Sequence, residues 1–418
     1  MITNINDYNS AMVNFKRLRA QNWHAIGDVD IDLSAKVTVL TGANGSGKTS
    51  ILRLLAMHAS WAAVDYNVPS RLADEPPEQP NDANPHKAIG VIEYSDNHST
   101  NILCSTGGLH RHIGLSEGRS LHCIFVSAHR PPFRYEAIKV GIQVDEGSDP
   151  LKAIDLARSG QKAAVEGTTN NFGVSIKRTL FAWLVAGYGV MTDGKYLLRP
   201  SSEIKEYFEG FQNVLRLVIP DEFKFESIEV DVGGEIVLLC DAGRTRFLIE
   251  SASGGLAAVI EIAWMLYLQQ IGAGRGREFT AIIDELENHL HPSIQRSILP
   301  KLVKAFPSAR FVISTHSPLI VSSMSNANVY ALRFDERSRV YAELLDFKEK
   351  ARTAAQILDE VLGVSVTLPV WVEEKLTRIV KDFSQRPFNE SLFSDLRNTL
   401  EAHGLDDFFP EALTAVIK

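Results

Sequence analysis

Residues 42–49 read Gly42-Ala43-Asn44-Gly45-Ser46-Gly47-Lys48-Thr49, which fits the pattern GxxxxGK[ST] without a mismatch. An apolar run, Val37 to Thr41, precedes them, and Ile51, Leu52, Leu54, Leu55 and Trp61 follow at roughly helical spacing within Thr49 to Ala63. The spacing predicts strand, glycine turn, helix, in that order. Glycines there let successive N–H groups curl around phosphate oxygens, and the helix adds the positive end of its dipole. In that arrangement Lys48 reaches the β and γ phosphates and the Thr49 hydroxyl ligates Mg2+. Ser50 completes the nucleotide-binding set. A plain glycine-rich turn would explain the glycines, but not the Lys-Thr pair that opens the helix.

A loop of this kind requires a carboxylate at the end of a buried strand further on, and Ala281-Ile282-Ile283-Asp284-Glu285 supplies one. Asp284 is the expected metal residue and Glu285 the general base for an attacking water. Lys48 and His316 complete the expected catalytic set. Between loop and strand, Ser253-Gly254-Gly255 opens an amphipathic helix, where hydroxyl and N–H groups can meet an anion. Beyond the strand, Ile313-Ser314-Thr315-His316-Ser317-Pro318 ends a further strand near a histidine placed to sense the γ-phosphate.

In this order the four elements resemble the ABC-type ATPase domain: Walker A, signature, Walker B with its glutamate, and switch histidine. Ser253-Gly254-Gly255 is similar to the heart of the LSGGQ signature, with Ala252 and Leu256 departing from its first and last positions. The resemblance covers roughly residues 13–56 and 250–335. It implies ATP and Mg2+ as ligands and a head-to-tail homodimer in which ATP on one protomer's Gly42–Thr49 loop also meets Ser253 and Gly254 of the other. The segments Asp284-Glu285-Leu286-Glu287-Asn288-His289-Leu290-His291-Pro292 and Ser314-Thr315-His316-Ser317-Pro318 resemble those of the OLD and RecF-like branch. That branch includes ATPase subunits of anti-phage systems such as Septu. Leu286 stands where proline is common, and His129 and Arg130 are the candidates for the glutamine-switch position.

The implied fold is α/β: an ABC-type P-loop head with a mixed, mainly parallel sheet, an inserted α+β lobe and a helical C-terminal segment. Expected boundaries are 1–64 for the first part of the head, 65–87 for a polar surface loop, 88–249 for the lobe, 250–348 for the rest of the head and 349–418 for the helical segment. In the last, Thr353 and Gln356 form a capping-box candidate, the first helix closes at Gly363, and Val372, Leu376, Ile379, Val380 and Phe383 make one apolar stripe. No sustained heptads occur, which argues against long coiled-coil arms.

The resemblance offers two functions. One is an ATP-driven switch whose heads close on ATP and whose cycle controls a partner effector, a nuclease, in anti-phage defence, as a dimer or a higher oligomer. The other is a RecF-like repair ATPase that clamps duplex DNA. With 43 Lys plus Arg against 51 Asp plus Glu, net −8, the chain has no global basic field, so DNA contact would need a local patch. The cation-rich stretch His110 to Arg134 is the candidate, and a solvated strand face explains it equally well. The scattered carboxylates Asp335, Glu336, Asp346, Asp359 and Glu360 do not make the metal site of a Toprim nuclease. His110-x-His112 and His289-x-His291 lack further ligands. Cys104, Cys123 and Cys240 read as buried reduced thiols. No membrane span or leader is expected, hence a cytoplasmic protein.

Overall fold

The computed structural model describes residues 13–60, 63–66, 86–105, 110–130, 133–137, 149–165, 172–231, 233–274, 276–346, 353–358, 370–385 and 390–417. It divides into two units, Met1–Ile357 and Leu358–Lys418. The first is organised by a 12-stranded sheet. Its strands in chain order are β1 (Phe15–Trp23), β2 (Ile26–Asp32), β3 (Val37–Gly42), β4 (Ala63–Tyr66), β5 (His86–Tyr94), β6 (Ser99–Ser105), β7 (His110–Leu115) and β8 (Cys123–Val126). Outside the sheet come β9 (Val190–Thr192), β10 (Lys195–Leu198), β11 (Phe225–Val230), β12 (Ile236–Cys240) and β13 (Thr245–Leu248). The sheet resumes with β14 (Phe279–Ile283), β15 (Ala309–Ser314), β16 (Asn328–Phe334) and β17 (Val340–Leu344).

The sheet order is β4-β7-β6-β5-β1-β2-β17-β16-β3-β15-β14-β8. From β16 to β8 every pairing is parallel. The strands β3 and β14 there are buried along their whole length, as parallel strands covered on both faces require. From β4 to β2 the pairings are antiparallel, and β1 alternates between buried and open positions. The helix Lys48–Ala56 buries Ile51, Leu52, Leu54 and Leu55. It stops earlier than the periodicity predicts, because Met57–Ala59 tightens into a 3-10 turn and Ser60 turns left-handed.

The lobe expected over 88–249 is divided in the structure. The segments His86–Tyr94, Ser99–Ser105 and His110–Leu115 form β5, β6 and β7 of the main sheet, and Cys123–Val126 form its far edge beside β14. What lies outside the sheet is a set of helices with two small sheets. The helices Phe172–Tyr188, Ser202–Val218 and Gly254–Ala273 meet through aromatic rings: Trp183 to Trp264 at 5.3 Å between centroids, and Phe211 edge-on to Trp264 at 4.8 Å. Gly254–Ala273 is long and apolar enough to cross a membrane, yet 83% of its apolar window is buried within the protein. All three cysteines are buried. Most of the polar stretch 65–87 lies outside the described residues, as does Gly363.

The second unit contains the helices Val370–Ser384, Glu390–Ala402 and Phe409–Ile417. The stripe Val372, Ile379 and Phe383 packs with Leu392, Leu396, Leu400 and Leu405 into a core of its own, against which Leu376 and Val380 also lie. In the first unit, Thr353 and Gln356 do form the capping box, on a helix described only for Ala354–Gln356.

Candidate functional site

Three adjacent parallel strands end on the same edge. The loop Gly42–Thr49 leaves β3, Asp284 and Glu285 leave β14, and Thr315 and His316 leave β15, which lies between the other two. Such C-terminal ends are where parallel sheets bind ligands. Gly42 has φ 140°, and a Cβ there would come within 2.4 Å of the Leu332 carbonyl on β16. Gly45 and Gly47 also have positive φ. The Lys48 ammonium donates to the carbonyls of Gly42 and Ala43, both at 2.9 Å. Burial pulls its pKa down to about 8, against the opposing pull of Glu285, Glu287 and Asp284. Ser46 is buried, while Ala43, Asn44 and Gly45 are exposed and Ser50 is partly so.

Across 235 residues of chain, the Thr49 hydroxyl donates to Asp284 Oδ1 at 3.1 Å. The Ser314 hydroxyl donates to the same oxygen at 2.5 Å, and Ser314 Oγ accepts the Glu285 N–H at 2.8 Å. A hydroxyl and a carboxylate oxygen side by side are hard donors, the set Mg2+ prefers when phosphates supply the remainder. Among the described residues no group of three or more His, Cys, Asp or Glu forms a metal cage. A hydroxyl and one carboxylate oxygen fit a metal whose remaining ligands come from nucleotide phosphates and water.

Glu285 has φ 46°, a strained conformation for a side chain of this size. Neighbours hold it there. Asn288 Nδ2 donates to Glu285 Oε2 at 2.9 Å and to the Ala128 carbonyl at 3.0 Å. Arg130, only 3% exposed, donates from one nitrogen to the carbonyls of both Asp284 (3.2 Å) and Glu285. Burial holds its pKa below the usual guanidinium range. Glu287 accepts the Thr315 hydroxyl at 2.8 Å and the His316 N–H. Burial, followed by the nearby Lys48 charge, lowers the His316 pKa, so its ring favours the neutral form.

The signature candidate stands apart from this cluster. Ser253 is the N-cap of Gly254–Ala273, yet its side chain makes no capping bond. Ser253 and Gly254 are exposed, and nothing lies within 4 Å of where a Gly254 Cβ would be. Gly255 faces inward, where a Cβ would meet the His289 carbonyl at 3.0 Å. The histidines of the HLHP segment thus serve the backbone: His289 turns left-handed at φ 67°, and His291 caps the helix Pro292–Ala305 by accepting the Ser293 N–H. No hydrogen bond joins Ser253 to the Gly42–Thr49 loop among the described residues.

Sequence reasoning assigned no roles to Ser314, Asn288 and Glu287. The available signal was their place inside the runs Asp284–Pro292 and Ser314–Pro318, with Asn288 three residues after Glu285. Of the switch candidates, His129 is exposed and Arg130 is buried on the Asp284-Glu285 turn. Within the basic stretch 110–134, Arg119 pairs with Asp96 and Arg130 is buried, and the side chains of His110 and Arg111 lie outside the described residues.

Two family descriptions match the chain: "AAA domain, putative AbiEii toxin, Type IV TA system" over residues 221–322, and "AAA domain" over residues 17–98. Together they take in the strands before the phosphate loop, the loop itself, and the Asp284 and His316 turns. Residues 17–98 and 221–322 are therefore similar to AAA domains. The chain's relatives include the "Retron Ec83 probable ATPase" of Escherichia coli, 27% identical over 43% of this chain and 33% of that protein. "Septu protein PtuA" of Bacillus thuringiensis is 25% identical over 40% of this chain and 44% of that protein. The "Retron Vc95 probable ATPase" of Vibrio cholerae serotype O1 biovar El Tor is 42% identical over 34% of this chain and 27% of that protein. The chain thus spans less than half the length of the relatives it matches. Among solved structures, the SMC head domain from Thermotoga maritima aligns with TM-score 0.41 and 13% identity over 79% of this chain and 99% of that one.

Proposed function

We propose that this ATPase is a nucleotide-driven switch of an anti-phage defence system: Mg-ATP joins two heads, hydrolysis separates them, and the cycle controls a partner effector, a nuclease. The observation that carries the chemistry is the Thr49–Asp284 hydrogen bond, which unites the phosphate loop and the acidic strand end in one site. Thr49 and Asp284 would hold Mg2+, which supplies charge neutralisation between the β and γ phosphates. Lys48 exchanges its bonds to the Gly42 and Ala43 carbonyls for phosphate oxygens. Glu285, oriented by Asn288 and by the clasp of Arg130, accepts the proton of the attacking water. His316, favouring its neutral form, can accept or donate near the γ-phosphate.

Association follows from differential contacts. ATP favours the closed pair only if something touches it there that does not touch it in the open form. Ser253 and Gly254 are exposed at a helix start where the Ser253 side chain makes no capping bond, and they meet that requirement from an opposing protomer. The retron and Septu names of the relatives support the defence assignment and the link to an effector.

The test is to express tagged Glu285→Gln protein with its native neighbours, add Mg-ATP, and analyse what co-purifies by light scattering, mass spectrometry and nucleic-acid staining. A dimer bearing a stoichiometric effector protein is expected. Duplex DNA without a protein partner would replace the switch with the DNA clamp. Equal turnover by wild type and Glu285→Gln would overturn the assignment of the base.

A further inference from the structure

Lys177 lies far from the phosphate loop in sequence, on the helix Phe172–Tyr188, and its side chain is fully buried. Its ammonium donates to Glu250 Oε1 at 2.7 Å, to a carboxylate oxygen of Glu235, and to the Glu136 carbonyl at 3.2 Å. The Tyr135 ring lies 5.0 Å from the ammonium, and its hydroxyl donates to Glu235 Oε1 at 3.1 Å. Glu250 is 2% exposed at its side chain, and its second oxygen has no partner among the described residues. One ammonium thus answers two carboxylates away from water. Burying ions is costly, and apolar side chains of similar volume would stabilise such a core at least as well. The cluster is better understood by what it connects.

Its members come from separate segments. Glu235 sits at the turn into β12. Glu250 belongs to the single turn Ile249–Ser251, which Ala252 separates from Ser253. Glu136 belongs to the stretch that leaves Arg130, the residue that grips the carbonyls of Asp284 and Glu285. That stretch is pinned a second time where Phe133 packs on the first turn of the Lys177 helix, its ring 3.0 Å from where a Gly173 Cβ would stand.

We infer that Lys177 is a positioning residue that ties the approach to Ser253 to the segment leaving Arg130, so that the signature surface and the peptide bearing Glu285 are held in one fixed relation. The inference rests on the reading of Ser253 as a contact to ATP across the dimer. Loss of the ammonium frees the Ile249–Ser251 turn from the Arg130 segment. Nucleotide binding to a single protomer does not depend on that link, whereas ATP-dependent association does.

The test uses the full chain with Lys177→Met, with Lys177→Met/Glu250→Gln, which leaves no unpaired carboxylate at the buried Glu250 position, and with isosteric Glu250→Gln. Three quantities are read: binding of a fluorescent ADP analogue, Mg-ATP-dependent association of each variant in the Glu285→Gln background, and ATP turnover against protein concentration. Association weakened about tenfold is expected for the Lys177 variants and roughly threefold for Glu250→Gln, magnitudes typical of coupling through a packed network. ADP binding should hold, and turnover should recover as protein concentration rises. Wild-type association in the folded double variant or in Glu250→Gln would overturn the inference. So would a parallel fall in ADP binding and turnover that concentration does not repair, the mark of a merely structural role. Failure of the Glu285→Gln parent itself to associate would overturn the dimer reading, and this inference with it.

Discussion

Replacing Arg130 with methionine tests the architecture of the site most directly. The side chain is buried, and one of its nitrogens serves the carbonyls of both Asp284 and Glu285. Methionine fills much of the volume but donates nothing, so two carbonyls lose a charge-assisted partner. At about 1.5 kcal/mol each, the low end for such bonds, the loss is about 3 kcal/mol. The low end applies because two further guanidinium nitrogens, Nε and Nη1, are buried without partners, and their desolvation cost is recovered in the variant. That loss corresponds to a fall of roughly 4 °C in melting temperature for a unit of this size. The consequence for rate is larger. Glu285 holds a left-handed φ of 46° against its own preference, and release of its carbonyl lets the turn relax and the carboxylate move. A displacement on the order of 1 Å costs about a hundredfold in kcat. Thermal melting and steady-state ATP turnover, with nucleotide affinity measured separately, check both numbers. A melting temperature within about 1 °C of wild type together with unchanged kcat would refute the clasp.

Other outcomes follow from the same geometry. Lys48 has a folded pKa of about 8 against the ordinary 10.5. Between those values the unfolded chain holds the extra proton, so stability relative to Lys48→Met should rise with pH from about 8 to 10.5 in melting experiments. Nucleotide affinity should run the opposite way, weakening about tenfold per pH unit above 8 as the ammonium must be regained. Lys48→Ala should abolish nucleotide binding in calorimetry, whereas Glu285→Gln should bind and fail to turn over. Ser253→Arg, at an exposed and uncapped position, should leave melting unchanged and prevent ATP-dependent association in light scattering. Gly42→Ala, facing the Leu332 carbonyl at 2.4 Å with φ 140°, should yield little folded protein, measured as soluble yield and helical circular dichroism.

The differences between expectation and structure share a cause. The strands 86–115 read as part of an inserted lobe because they are contiguous with it in the chain, whereas β5 pairs back onto β1 and extends the main sheet. Sequence distance says little about antiparallel neighbours that return over long connections. The helix after the phosphate loop ran too far in the reading because apolar spacing continues to Trp61, while the chain turns at Ser60. The cation-rich stretch resembled a surface patch, yet Arg130 within it is buried against carbonyls, which no charge count detects.

The phosphate loop, the acidic strand end and the glycine-led helix were legible from sequence alone because each depends on local backbone geometry. Glycines are needed where φ is positive, a β-branched run favours a buried strand, and a Lys-Thr pair opens a helix. Their partnership was not local. The Thr49–Asp284 bond, the Ser314 bridge and the grip of Arg130 on Glu285 exist because parallel pairing sets β3, β15, β14 and β8 in adjacent register, and their ends therefore converge. The same holds for Lys177, whose ammonium is isolated in sequence and acquires its carboxylates only when the helix Phe172–Tyr188, the hairpin entering β12 and the turn Ile249–Ser251 pack together. Residue identity specified which groups could serve; long-range packing decided which of them meet, since contacts across hundreds of residues follow from burial and strand register, not from spacing along the chain.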